Sequence, residues 1–206
     1  MDNLLDRRNY DFEIRAEETE DNQYSIIGRP IVYDKKTDLE FFSEVIERGA
    51  LDKTDLTDVR FLVNHDTSKI PLARSRKDVK NSTMKLSVDE KGMSIRVNLD
   101  IENNTEARNL YSAVSRGDIS GMSFMFNISD EEWEDLESDY PTRHIKSISR
   151  VVEVSAVTFP AYDSTQINVR NKEALDKAKS TLEGAKDNTD DVELEKLKIK
   201  YLYGGF

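Results

Sequence analysis

Gly117-Asp118-Ile119-Ser120-Gly121-Met122-Ser123-Phe124-Met125-Phe126 follows a helix-like segment and ends in strand-like alternation. In an extended strand, successive side chains point to opposite faces. Met122, Phe124 and Phe126 then share one face, fit for a core. Gly121, Ser123 and Met125 share the other, which leaves Ser123 with a reachable hydroxyl. A serine is a useful nucleophile only beside a base that a third group orients. Two further polar residues interrupt apolar runs: His65 in Phe61-Leu62-Val63-Asn64-His65-Asp66, and Glu153 in Val151-Val152-Glu153-Val154-Ser155. With two histidines in the chain, the choice of base is narrow.

Outward from this stretch, the pattern is one of short strands. Asp11–Ala16, Tyr24–Tyr33, Val59–Val63, Thr83–Val88, Met93–Leu99, His144–Ile148 and Val151–Phe159 all read as strands. Gly28 and Pro30 predict a bulge or edge in the second. Asp89-Glu90-Lys91-Gly92 joins two of them as a hairpin. Thr105–Arg116 is the strongest helix, with Ala107, Leu110, Tyr111 and Val114 as its stripe, Asn104 or Thr105 as its cap and Gly117 as its end. Phe42, Val45, Ile46 and Gly49 fall at helical spacing and predict a short helix over 41–50. Residues 1–9 read as a loose polar end, and Ser129–Tyr140 as an acidic surface loop pinned by Trp133. Mostly β elements at hairpin spacing, plus two helices, predict a curled antiparallel β-barrel flanked by helices.

Composition narrows the function. The 206 residues suit one domain, here 1–170, with an appendage over 171–206 that reads as a charged helical or disordered tail. Its aromatic tip, Tyr201–Phe206, reads as a docking peptide or a frayed end. The net charge of −11, without a basic stripe, argues against nucleic acid as a partner. No apolar run approaches the ~20 residues that span a bilayer, so no membrane partner is expected. Cysteine is absent, which removes disulfides, thiol nucleophiles and cysteine-ligated zinc. Two distant histidines without a carboxylate set give no metal site, and no glycine-rich phosphate loop is present. No cofactor is expected.

In the resulting set, His65 takes the proton of Ser123, and Glu153 holds the imidazole. Gly-x-Ser-x-Gly is missing, since position 125 is Met, so this is no α/β-hydrolase elbow. Alternatives stay open. His144 can replace Glu153 as third member. Ser155 shares a face with Glu153 and is a rival nucleophile. Ser120 shares its face with Met122 and Phe124 and is expected to point inward.

Four pieces in order resemble the prohead (capsid maturation) protease family of tailed bacteriophages. They are Phe42–Ala50; Val63-Asn64-His65-Asp66 with Pro71–Arg74; Arg116–Phe126; and Val152–Thr158 with Pro160-Ala161-Tyr162. The likeness spans about residues 10–170. It implies a serine endopeptidase with a herpesvirus-protease-like fold. It further implies action inside the prohead, in the host bacterial cytoplasm, on scaffold or capsid-protein segments and on the protease itself. The family histidine falls on His65, its serine on Ser123, and its acidic position on Glu153, where the herpesvirus relatives use a second histidine. Oxyanion donors are expected near Leu72–Arg74 or after Phe159. Because the herpesvirus relatives dimerise, a homo-oligomer is left open. The tail lies outside the likeness and is expected to be a removable arm. A second reading is a non-enzymatic capsid assembly module on the same fold.

Overall fold

A computed structural model describes residues 6–10, 14–19, 23–77, 79–158 and 171–184. Eleven strands and a helix run in the order β1 (Asp6–Tyr10), β2 (Ile14–Glu18), β3 (Tyr24–Val32), β4 (Thr37–Asp38), β5 (Ser43–Ile46), β6 (Asp58–Val63), β7 (Ala73–Arg76), β8 (Met84–Asp89), β9 (Gly92–Leu99), α1 (Thr105–Arg116), β10 (Gly121–Glu134) and β11 (Thr142–Val157). A second helix, α2, covers 171–184.

The fold is mainly β, as the sequence predicts. Its strands form a seven-stranded and a four-stranded sheet, and among the described residues the pairing closes no barrel. The four-stranded sheet, β2-β3-β9-β8, is antiparallel throughout. The register of β3 shifts between Gly28 and Ile31, at the expected bulge. In the larger sheet, β10 and β11 pair antiparallel along most of their lengths. The other edge of β11 carries β5 near its start and β6 near its end, both parallel. The sheet is therefore mixed rather than purely antiparallel.

The two sheets share one core. Ile26, Ile31, Ile95 and Val97 come from the smaller sheet, and Phe61, Phe124, Phe126 and Val154 from the larger. Phe124 and Phe126 stack with centroids 4.7 Å apart, as two same-face neighbours on one strand can. A buried aromatic of this size contributes about 2–3 kcal/mol by leaving water. The core thus pins the register of β10, because a one-residue slip would turn both rings to the opposite face.

Three local expectations are corrected. Residues 41–50 are not a helix. Ser43–Ile46 pairs with Thr142–Ile145, and the following residues turn. Of the apolar positions at helical spacing, Phe42 and Ile46 are buried around that strand, as is the neighbouring Ala50. The 129–140 stretch is not a loop throughout, because β10 continues to Glu134. Trp133 lies edge-on to Phe42 and beneath the buried Arg143, which pairs with Glu44 and Glu131. A buried guanidinium requires such partners. Finally, Asp6–Tyr10 is a strand paired with β10, not a loose end.

The first turns of α2 are anchored. Asn171 and Leu175 are buried, and Leu175 joins Leu39 and Phe42 in a small second cluster. The expected tip at 201–206 lies outside the described residues.

Candidate active site

Helix α1 sets the start of the strand that carries Ser123. The Asn104 side chain accepts hydrogen bonds from the Glu106 and Ala107 N–H groups, which caps the helix. Gly117 ends it in the left-handed conformation, with φ 80°, and its N–H returns to the last turn. Four residues later β10 begins. Antiparallel pairing then puts Ser123 opposite Ser155 and Met125 opposite Glu153. Directly opposed residues project to the same face, so Ser123, Glu153 and Ser155 lie on one side of the sheet. Phe124, Val154 and Ala156 fill the core on the other.

His65 reaches this face from the end of β6. The Asn64 N–H donates to Ala156 O at 2.9 Å, continuing the β6–β11 pairing for one residue. Asn64 and His65 then adopt φ of 52° and 58°. Left-handed backbone costs an L-residue roughly 1–2 kcal/mol, less for asparagine. Hydrogen bonds hold the turn in place. The Asn64 Oδ1 accepts from the Thr158 N–H at 2.9 Å, and its amide donates to Thr158 Oγ1 at 3.1 Å. The His65 N–H donates to Ser155 Oγ at 3.1 Å.

His65 Nε2 lies 2.6 Å from Ser123 Oγ. Its Nδ1 hydrogen-bonds Glu153 Oε1. Ser155 donates its hydroxyl proton to Glu153 Oε2 at 2.6 Å. A serine hydroxyl, an imidazole and a carboxylate are therefore joined in one line. The His65 side chain is 8% exposed and that of Glu153 2%. Ser123 is fully buried, which corrects the expected reachable hydroxyl. Low exposure strengthens each electrostatic contact in the chain.

The sequence alternatives separate cleanly. His144 sits at the far end of β11, opposite Glu132. At about 3.3 Å per residue, it lies some 35 Å along the strand from Ser155. It is engaged there by Glu47 at 3.1 Å and Glu134 at 3.3 Å. Ser120 precedes the strand and is exposed, not inward-facing. Ser155 is committed to Glu153 and to the His65 backbone, with its hydroxyl 0% exposed. That supporting position escapes the sequence reading. The available signal was the two-residue spacing that puts Ser155 on the face of Glu153.

The expected oxyanion donors near Leu72–Arg74 are already engaged in part. The Leu72 N–H donates to Phe61 O at 3.0 Å, and that of Arg74 to Thr83 Oγ1 at 2.9 Å. The alternative after Phe159 lies outside the described residues. A cleft of about 440 Å³ flanks the His65 turn, with Leu62, Leu72, Leu110 and Ile119 on its walls and Asn64 and Asp66 at its polar side. Among the described residues, no group of three or more His, Asp or Glu side chains is arranged to hold a metal. None of the described helices is long and apolar enough to cross a membrane.

Comparison with known proteins adds three findings. A family model described as caudovirus prohead serine protease matches residues 10–180. The solved structure of the capsid assembly protease of bacteriophage T4, gp21, is similar, with a TM-score of 0.41 and 13% identity. The match covers 75% of this chain and 98% of that one. No curated protein matches.

Proposed function

Since the chain belongs to the caudovirus prohead serine protease family, we propose that its peptide-bond hydrolysis is carried out by Ser123, His65 and Glu153. The family makes the protein a serine protease of phage prohead maturation. The observation that supports this assignment is the unbroken line from Ser123 Oγ through the His65 imidazole to Glu153.

In this reading, Ser123 Oγ attacks the scissile carbonyl while its proton passes to His65 Nε2. His65 returns that proton to the leaving amine as the C–N bond breaks, leaving an acyl-Ser123 ester. Water then gives its proton to His65 and its oxygen to the acyl group, which releases the acid and restores Ser123. Glu153 fixes the imidazole with its Nδ1 protonated and stabilises the imidazolium. The substrates are scaffold or capsid-protein segments, cut inside the prohead within the host cell, and the protease is itself one of them.

The finer fold kinship belongs to the same proposal. Two sheets on one continuous core suit a herpesvirus-protease-like curled barrel laid open. So does the division into a 1–170 body and a removable 171–206 arm. Mass spectrometry finding the arm intact in mature particles would count against the latter.

The test is cleavage of the cognate capsid protein by single variants. His65→Ala and Ser123→Ala lose activity, Glu153→Gln loses most of it, and His144→Ala retains it. Loss in His144→Ala together with full activity in Glu153→Gln would move the third role away from Glu153.

A further inference from the structure

We propose that the edge of β10 beside Ser123 is where an extended peptide docks, and that residues Asp6–Tyr10 of this chain occupy it in cis as a competitor. The inference rests on Ser123 being the nucleophile. A peptide backbone laid alongside the strand that carries an attacking hydroxyl passes close to that hydroxyl. Main-chain pairing to an open sheet edge is the economical way to hold one there, because the backbone groups are present in every sequence.

In the seven-stranded sheet β10 has two neighbours. β11 lies on one side and supplies Glu153 and Ser155. β1 lies on the other, as the edge strand of the sheet. It runs antiparallel, from Asp6 beside Phe126 to Tyr10 beside Met122, with Asn9 directly opposite Ser123. A substrate strand in that place would carry its chain past the nucleophile in the same way. The family match begins at residue 10, so β1 almost wholly precedes the part shared with the family. Without β1, the β10 backbone from Met122 to Phe126 would present an open edge. Ser123 is 0% exposed in the paired state. An incoming substrate must therefore displace something before it reaches the hydroxyl, and β1 holds the edge it needs.

The experiment reads the accessibility of Ser123 directly, in the full-length chain, as its rate of labelling by a fluorophosphonate. Arg8→Pro/Asn9→Pro removes two consecutive N–H groups. Consecutive groups point to opposite sides of a strand, so one of the two belongs to the pairing with β10. Labelling at least tenfold faster than in the wild type is expected. A synthetic peptide of residues 3–12, added in trans, is expected to slow it again. A folded variant that labels at the wild-type rate overturns the proposal. So does faster labelling that the peptide leaves unchanged. If wild type and variant both label no faster than Ser123→Ala, the nucleophile assignment itself has failed.

Should the proline variant not fold, full-length Ser123→Ala gives the second readout. On binding the cognate capsid protein, amides 6–10 are expected to lose their protection from hydrogen exchange. Protection retained in the bound state overturns the proposal.

Discussion

Ser155 shows how much one hydroxyl can organise. It donates to Glu153 Oε2 and accepts from the His65 N–H, so it ties the carboxylate to the turn that carries His65. Removing it leaves a fully buried carboxylate oxygen and a backbone donor without this partner. A lost hydrogen bond to a charged group costs about 1.5–3 kcal/mol, or roughly 10- to 100-fold in rate if felt in the transition state. Ser155→Ala is expected to lower kcat by that factor with little change in KM, as steady-state kinetics would read. An unchanged kcat would reduce Ser155 to packing. The turn itself offers a separate prediction. Asn64→Ala removes the side-chain hydrogen bonds to Thr158 and places a less tolerant residue at φ 52°. Loss of about 1–3 kcal/mol in stability is expected from thermal or urea unfolding.

Among the elements, local signals carried well. The helix over 105–116 was legible because its cap, its stripe and its terminal glycine all lie within the segment. The β8–β9 hairpin was legible for the same reason. Strand β5 was not, because what makes Ser43–Ile46 a strand is a parallel partner nearly 100 residues away. Strand β1 was missed for a related reason. Asp6-Arg7-Arg8-Asn9-Tyr10 has no alternation, and its pairing with β10 uses backbone that no side-chain pattern advertises. In the site, the face shared by Ser123, Glu153 and Ser155 follows from parity. The approach of His65 depends on a left-handed turn that sequence does not announce.

The hairpin also gives a pH prediction. The Arg29 guanidinium meets Asp89 through bonds of 2.6 and 2.7 Å and holds its carboxyl down, at about 2 against an ordinary 3.8. A folded-state pKa below the unfolded one contributes stability that is fully present above the unfolded value. That contribution fades as pH falls from about 4 to about 2. Stability measured against pH is expected to lose this component in Arg29→Gln. Identical curves would show that the pair contributes nothing.

At the scale of the whole molecule, the two sheets serve one geometric end. Their shared core fixes β10 and β11, and the face of that pair turned away from the core gathers a hydroxyl, an imidazole and a carboxylate. The larger sheet adds an edge beside the hydroxyl, held here by the chain's own β1. The anchored α2 packs on Leu39 and Phe42, in a cluster separate from the core beneath this face. The central claim is that Ser123 is the nucleophile of a prohead protease. Its most direct test is co-expression with the cognate capsid protein, wild type against Ser123→Ala, followed by intact-mass analysis. The account predicts a trimmed capsid protein with the wild type and full-length chains with Ser123→Ala. Equal trimming by both forms would contradict it.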